Sequence, residues 1–536
     1  MYPDLILTNG NINTLDPNNP LVTAIAISKD TITSLGSNAD IIKLANKKTK
    51  VIDLKKRLVI PGMIDAHCHF DLFSRTAQNI DLNITNKQSI ISLLSKHISN
   101  SNNNKWIIGH GWDHNEWDQK LPNKYDLDSI SPHNPIYLTG KSMHISWVNT
   151  AALQRANITS DTPDPPGGQI GRLESGQPNG ILYETASELI TSKIPEPTID
   201  TIASNMEITQ QKFWKNGITG IHDYDQLISY EAIKQLYNQN KLGLRILKNL
   251  PAQNLEEVIS QRLHSGHGNK WIKIGGIKVF MDGALGARTA LMLDPYNIET
   301  NNYGISVTDE EELLLISKKA GKNNLSMTVH AIGDKANRAV LNVYEKLRNI
   351  EKNNGDTPDK LRHRIEHVQL LHPSDLHRLG SSKIIASMQP VHATSDMDIA
   401  TKYWGKRIKH AYAWKTQINH NTVLAFGSDA PVENINPLWG IYAAVTRSKR
   451  TTDNRIKGWQ THECITIKQA IEAYTIGPAY ASYSENQLGS LMPGKFADLV
   501  ILDQDIYKCP NSKIHSTTVL GTLIGGRWKY LSSSIS

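Results

Sequence analysis

The sequence predicts an α/β protein: a distorted (β/α)8 barrel of TIM type, a composite β-sandwich built from both termini, and a subdomain inserted after the first barrel strand. Three observations predict it. Apolar, β-rich runs alternate with longer helical patterns, the signature of βα units around a parallel sheet. Eight such runs occur, which is the barrel number: Val59–His67, Ile218–His222, Leu244–Leu250, Ile274–Phe280, Ser326–Ala331, Ile365–Gln369, Ile384–Gln389 and Val423–Ser428. The two chain ends share a different texture, short strand-like segments broken by Asn, Gly and Pro.

At the amino end these segments are Leu5–Thr8, Ala24–Ser28, Thr31–Leu35 and Val51–Leu54; at the carboxyl end they are Ala497–Leu502, Val519–Ile524 and Arg527–Tyr530. Neither end has enough apolar residues for its own core. Residues 1–58 and 486–536 are therefore expected to pair into one sandwich, with the barrel occupying 59–485. The first two barrel strands are separated by about 150 residues, far more than a crossover needs. An inserted lid is expected over residues 75–215. It carries Trp106, Trp112, Trp117 and Trp147 and a Pro/Gly-rich segment, Pro163–Gly180, which serve either packing within the insertion or a wall over the substrate. Farther along, apolar residues spaced three and four apart mark helices at Glu310–Ala320 and Lys335–Arg348. No internal repeat is visible, and the low-complexity content is the short Asn100–Asn104 run.

With 39% hydrophobic and 20% charged residues, the composition is that of an ordinary globular protein. The formal charge of +7 is spread over scattered lysines and arginines, with short clusters such as Lys55-Lys56-Arg57 and no long basic tract, so nucleic acid is not an expected partner. Cys68, Cys464 and Cys509 are too few and too far apart for a disulfide framework or a thiolate zinc site, which fits a reducing cytoplasm. No basic and apolar leader opens the sequence and no apolar stretch approaches a membrane span, so neither export nor a membrane partner is expected.

Pro61-Gly62-Met63-Ile64-Asp65-Ala66-His67-Cys68-His69 ends the first strand with two histidines one residue apart. Residues i and i+2 of a strand share a face, so His67 and His69 lie side by side, a geometry suited to one metal ion. Alone the pair would be an ordinary strand end. Three more strands, however, end in ligand-type residues: His330 after the fifth, His367 after the sixth and Asp429 after the eighth. Active sites of (β/α)8 enzymes are built on that face. The resulting nitrogen and oxygen set suits zinc or a similar divalent ion. In the fourth strand, Lys278 stands inside an otherwise apolar run, where a bare ammonium is expensive to bury. It either pairs with an acid such as Asp282 or is carboxylated by CO₂ into a ligand able to bridge two metals.

With these residues the chain resembles the amidohydrolase superfamily of metal-dependent hydrolases and, more narrowly, amidohydrolase family 3, the branch of N-substituted formamide deformylase-like enzymes. The narrower likeness rests on residues 109–113 (GHGWD), 144–149 (HISWVN), 282–289 (DGALGART), 330–334 (HAIGD), 366–369 (EHVQ), 474–481 (YTIGPAYA) and 491–500 (LMPGKFADLV). The resemblance runs nearly end to end. It implies a composite sandwich, a distorted barrel and a metal centre at the barrel mouth. His67, His69 and Asp429 would hold the more buried metal, while Lys278, His330 and His367 complete the centre, Lys278 as a carboxylated bridge where two ions bind. One departure is Gly140-Lys141-Ser142-Met143 before His144, where the family shows a more regular Asp-Gly-His segment.

The expected reaction is hydrolysis of a carbon–nitrogen bond other than a peptide bond in a small amide or formamide, by metal-activated water with Asp429 as general base. His144 or His330 would help stabilise the oxyanion. Trp112, His144 and Arg288 are candidate substrate contacts, Arg288 through a bidentate grip on a carboxylate. Ester hydrolysis or hydration on the same scaffold, and a noncatalytic scaffold, are the alternatives; all six candidate ligands are present, which speaks against the last. The partner is thus a small-molecule substrate, and a homodimer is the default assembly.

Overall fold

The computed structural model describes residues 2–76, 79–84, 86–98, 105–117, 121–195, 197–357, 360–450 and 458–535. The Asn100–Asn104 run lies outside the described residues.

Eight parallel strands form the central sheet, hydrogen-bonded in chain order: Met63–Cys68, Ile218–Asp223, Arg245–Pro251, Ile272–Phe280, Met327–Ala331, Arg364–His367, Ile385–Met388 and Leu424–Phe426, numbered here strands 1 to 8. Strands 8 and 1 share no ladder. They meet at their carboxyl ends, where Asp429 N–H donates to His67 O at 2.7 Å and His69 N–H to Ala430 O at 2.9 Å. The barrel is therefore closed at the mouth, where the predicted ligands lie. Gly427 permits this approach: a Cβ there would stand 2.4 Å from the His67 nitrogen.

Helices between the strands bury one face each. Asp334–Asn353 turns Val340, Leu341, Tyr344 and Leu347 inward, spaced three and four apart, into a core shared with Met327 and Val329 of strand 5. Glu310–Lys322 does the same with Leu313, Ser317 and Ala320. Both helices extend the stretches read from periodicity.

Strands from the two termini share one sheet, in the order Arg527–Leu531, Val519–Ile524, Leu499–Leu502, Leu58–Pro61, Asn11–Asn13, Leu21–Val22. A four-stranded sheet of Thr31–Gly36, Ala24–Ser28, Leu5–Thr8 and Lys50–Asp53 faces it across Leu7, Ile25, Leu499, Ile501 and Leu523. This corrects the first strand as read from the sequence. Val59–Pro61 belongs to the sandwich, where Val59 pairs with Ile501, and the barrel strand begins at Met63. The apolar run is continuous because both halves are buried, and Gly62 marks the change of sheet.

The insertion holds a six-stranded sheet: Gly168–Arg172, Pro178–Glu184, Ile145–Val148, Ile136–Gly140, Ile107–Trp112 and Ile80–Asp81. The helix Ile199–Lys215, placed in the insertion by sequence, instead packs Ile202, Met206 and Phe213 against Ile218, Ile221 and Leu244 of the barrel. Among the described residues no helix is long and apolar enough to cross a membrane.

Candidate metal centre

His67, His367 and Asp429 each bring a ligand atom to one place at the barrel mouth, with the three atoms within 4.8 Å of one another. His67 Nε2 stands 3.4 Å and His69 Nε2 3.5 Å from Asp429 Oδ1, and His367 Nδ1 is 3.9 Å from Oδ2. Lys278 and His330 adjoin this group. The His330 and His367 rings lie 4.5 Å apart, and Lys278 Nζ sits 4.8 Å from the Tyr224 ring and 4.5 Å from that of Phe280. His367 and Asp429 adopt left-handed backbone angles, φ 76° and 61°. Such conformations cost about 1–3 kcal/mol each and concentrate at functional sites.

These residues fit a divalent cation. His67 Nε2 is fully buried and has no hydrogen-bond partner. Its other ring nitrogen, Nδ1, lies 2.6 Å from Glu366 Oε2, so the proton sits on Nδ1 and Nε2 offers a lone pair. A carboxylate behind a histidine is the usual support of a metal ligand. Two imidazole nitrogens and a carboxylate oxygen, with His69 beside them, are the donor set zinc accepts.

A shell of buried partners fixes these side chains. Tyr224 stacks on His67 at 3.9 Å and donates to Glu366 Oε1 at 2.9 Å. Arg364 donates to Glu366 Oε2 at 3.1 Å and to Ala66 O at 2.8 Å. Asp225 Oδ1 is 3.4 Å from His69 Nδ1, and its Oδ2 accepts the Asp71 N–H at 2.5 Å. Gln389 Oε1 lies 2.9 Å from His367 Nδ1. Asp282 accepts N–H groups from Leu291, Ile332 and Gly333 and so pins the loop after His330, whose Nε2 is 3.0 Å from Gly283 O.

The electrostatics follow from this packing. Burial, with the Lys278 charge, pushes His67 down to about 4. Burial works against a charge on His69 as well, but Asp225 and Asp429 outweigh it and raise that residue to about 9. Asp429 is buried too, yet the surrounding histidines hold its carboxyl well below the usual range. Burial brings the Lys278 ammonium down to about 8, which leaves an appreciable neutral fraction near physiological pH.

A cavity of roughly 430 Å³ opens beside the group, walled by His330, His367 and Asp429 from the barrel and by Trp112 and His144 from the insertion. Trp112 is otherwise part of the insertion's core, stacked 5.7 Å from Trp117 and edge-on to Trp147 at 5.9 Å; of the four tryptophans read from the sequence, it alone reaches this wall. Arg288 does not. Its Nε pairs with Glu299 Oε1 at 2.7 Å, and it lines a separate cavity with Thr289, Glu299 and Asn302. The guanidinium, expected to grip a substrate carboxylate, thus stands against an acid supplied by a loop partner that sequence spacing does not reveal.

Besides Asp225 behind His69, three more contributors escape the sequence reading. His392, in the first turn of the helix Pro390–Ser395 after strand 7, sets Nε2 3.2 Å from Asp429 Oδ2; the Gln389-Pro390-Val391-His392 string at a strand end was its signal. Glu366 stands inside the 366–369 motif, whose pattern points to His367 and not to the carboxylate behind His67. Glu184, whose Oε2 lies 2.6 Å from His144 Nδ1, carried no signal at all.

The sequence profile described as "Amidohydrolase family" matches residues 50–530. Among curated proteins, the chain is 34% identical to Protein LONG AFTER FAR-RED 3 of Arabidopsis thaliana, over 98% of this chain and 91% of that one. It is 32% identical to the putative amidohydrolase YtcJ of Bacillus subtilis, covering 91% and 92%, and 24% identical to N-substituted formamide deformylase of Arthrobacter pascens, covering 98% of each. Among solved structures, an uncharacterized metal-dependent hydrolase from Pyrococcus horikoshii superposes with a TM-score of 0.75 at 28% identity, covering 95% of this chain and 99% of that one. With its profile matched over most of its length and its eight-stranded sheet carrying the ligand-type residues at one mouth, the chain belongs to the amidohydrolase family.

Proposed function

We propose that this protein hydrolyses a carbon–nitrogen bond other than a peptide bond in a small amide or formamide, at a divalent metal centre held by His67, His69, His367 and Asp429. The observation that carries the reading is the buried, unpartnered His67 Nε2 facing Asp429 and His367 beside the cavity. The relative named for N-substituted formamides supports that substrate class.

A bound divalent cation, with zinc the expected ion, would lower the pKa of its water toward about 7 and polarise a carbonyl oxygen. Asp429, held as a carboxylate by its histidine neighbours, takes the proton of the attacking water as the carbon–oxygen bond forms. It returns that proton to the leaving nitrogen as the carbon–nitrogen bond breaks. His392, within 3.2 Å of Asp429 Oδ2, orients the carboxylate for both transfers. His144 reaches the same cavity from the insertion, where it can contact the substrate carbonyl. Lys278, with an appreciable neutral fraction near physiological pH, is suited to carboxylation, and with His330 it would supply the ligands of a second ion.

Asp429→Asn tests the assignment. Its kcat/KM is expected to fall by about 10³-fold or more, the scale of a lost general base, while plasma emission spectroscopy still finds metal in the purified variant. Release of amine, ammonia and carboxylate from a panel of formamides, amides and esters gives the bond class. Full turnover by the variant would remove Asp429 from the mechanism, and release from esters alone would remove the carbon–nitrogen assignment.

A further inference from the structure

The segment Asp282–Thr289 and the insertion meet at a contact that the metal centre does not require. Glu184 closes the insertion strand Pro178–Glu184, and its N–H donates to His144 O at 3.1 Å, so the two residues are cross-strand neighbours. One carboxylate oxygen, Oε2, lies 2.6 Å from His144 Nδ1. The other, Oε1, accepts a 2.5 Å hydrogen bond from Thr289 Oγ1 of the barrel loop after strand 4. Thr289 Oγ1 in turn accepts the Ala284 N–H at 3.0 Å. Gly283 makes room for this bridge, since a Cβ there would stand 2.2 Å from Glu184 Oε1 and 2.2 Å from Thr289 Oγ1. The Gly283 carbonyl also lies 3.0 Å from His330 Nε2, which ties the same loop to the centre.

Glu184 adopts φ 50° and ψ −129°, a backbone region suited to glycine and strained for any L-residue with a side chain. A side chain retained at such a position is a pointer to its use. Here the use is visible: the carboxylate accepts the Nδ1–H of His144 in a hydrogen bond, which leaves Nε2 as the ring nitrogen available to a ligand. The His144 ring stands 5.2 Å from that of His330 and forms part of the cavity wall. Burial disfavours a charge on His144, but the Glu184 carboxylate outweighs it and raises the residue above its ordinary value.

We infer that Glu184 is a positioning residue that clasps the insertion to the barrel through Thr289 and presents His144 to the substrate, so that a wall of the active site is assembled across two structural units. The inference rests on the hydrolytic reading of the cavity. It gives residues 282–289 a role as the barrel's half of the clasp.

The test uses the metal-loaded full-length protein with the variants Glu184→Ala, Glu184→Gly, Thr289→Val, His144→Ala and Glu184→Ala/His144→Ala. Two readouts are taken: kcat/KM, and amide hydrogen exchange across residues 141–146. Glu184→Ala is expected to lose kcat/KM to the same extent as His144→Ala, on the order of 10²-fold, with the double variant no worse than His144→Ala. Exchange at 141–146 is expected to accelerate in Glu184→Ala and in Thr289→Val. Glu184→Gly, which relieves the backbone, should melt no lower than Glu184→Ala yet be equally impaired; a merely structural role would restore its activity. Multiplying losses in the double variant, or unchanged exchange, overturns the inference. A wild type that hydrolyses no amide, formamide or ester overturns the proposed reaction instead, and the exchange readout then decides the clasp alone.

Discussion

The two ends of the barrel both bury charge, and they treat it differently. At the base, Arg245 opens strand 3 and meets Asp498 of the sandwich through two hydrogen bonds, Nε to Oδ2 at 2.6 Å and Nη2 to Oδ1 at 2.8 Å. Its Nη1 donates to Lys270 O, Asp498 Oδ1 also accepts the Gly525 N–H, and the guanidinium lies 4.1 Å from the Phe496 ring. At the mouth, His67, His367 and Asp429 converge on one another, yet His67 Nε2 is left without a hydrogen-bond partner. Buried polar groups are normally satisfied, so a satisfied cluster speaks for structure and an orphan aimed at its neighbours speaks for a ligand. Composition does not tell the two ends apart; completeness of pairing does.

That contrast can be broken at the base first, where the expected effect on stability is largest. Asp498→Ala leaves the Arg245 guanidinium buried and uncompensated, and breaking a buried pair in this way costs about 3–5 kcal/mol. Urea denaturation should show that loss, while kcat/KM per folded molecule stays at the wild-type level. A large loss of turnover at full metal content would mean that the base is coupled to the chemistry after all.

At the mouth the corresponding variant is Glu366→Gln. The amide no longer holds a charge against His67 Nδ1 and Arg364, so His67 loses its fixed tautomer. Losing such a supporting carboxylate typically lowers metal affinity by about 10–100-fold. Competition with a chromophoric chelator measures it directly. Unchanged affinity would show that Glu366 serves the Arg364 pair rather than the metal centre.

The same contrast explains what could be read in advance. Eight strand runs and the ligand-type residues at their ends were legible because a buried parallel strand writes itself as a contiguous apolar run, and the residue that ends it stands out. Most sandwich strands were legible as short apolar segments between Asn, Gly and Pro, while Asn11–Asn13 and Leu21–Val22, with two or three residues each, were too short to stand out. What escaped lies across sequence distance: Glu366 behind His67, Asp225 behind His69, Glu184 behind His144. Each is an acidic residue whose role exists only once two elements are brought together, and a carboxylate in a loop or strand carries no periodicity to announce it. His392 escaped because a histidine one turn into a helix is common, and its nearness to Asp429 depends on how strands 7 and 8 are spaced. Gly62 escaped as a switch between sheets because both sides of it are equally apolar.

Arg288 is where the smallest effect is expected, and where the sequence reading and the structure part most plainly. An arginine next to a glycine-rich loop at a barrel mouth looks like a carboxylate clamp. In the structure its Nε pairs with Glu299 at 2.7 Å, its Nη1 is 3.4 Å from His114 Nε2, and its guanidinium lies 5.3 Å from the Tyr403 ring. A clamp needs a free guanidinium, and this one already stands against an acid. Arg288→Gln should therefore cost about 1 kcal/mol of stability, as for a partly exposed ion pair, and leave kcat/KM within about threefold of wild type. Steady-state kinetics on a substrate bearing a carboxylate and on its neutral ester separate the two accounts. A KM that rises tenfold or more for the acid alone would show that Arg288 leaves Glu299 for the substrate, and the reading of this ion pair as structural would fail.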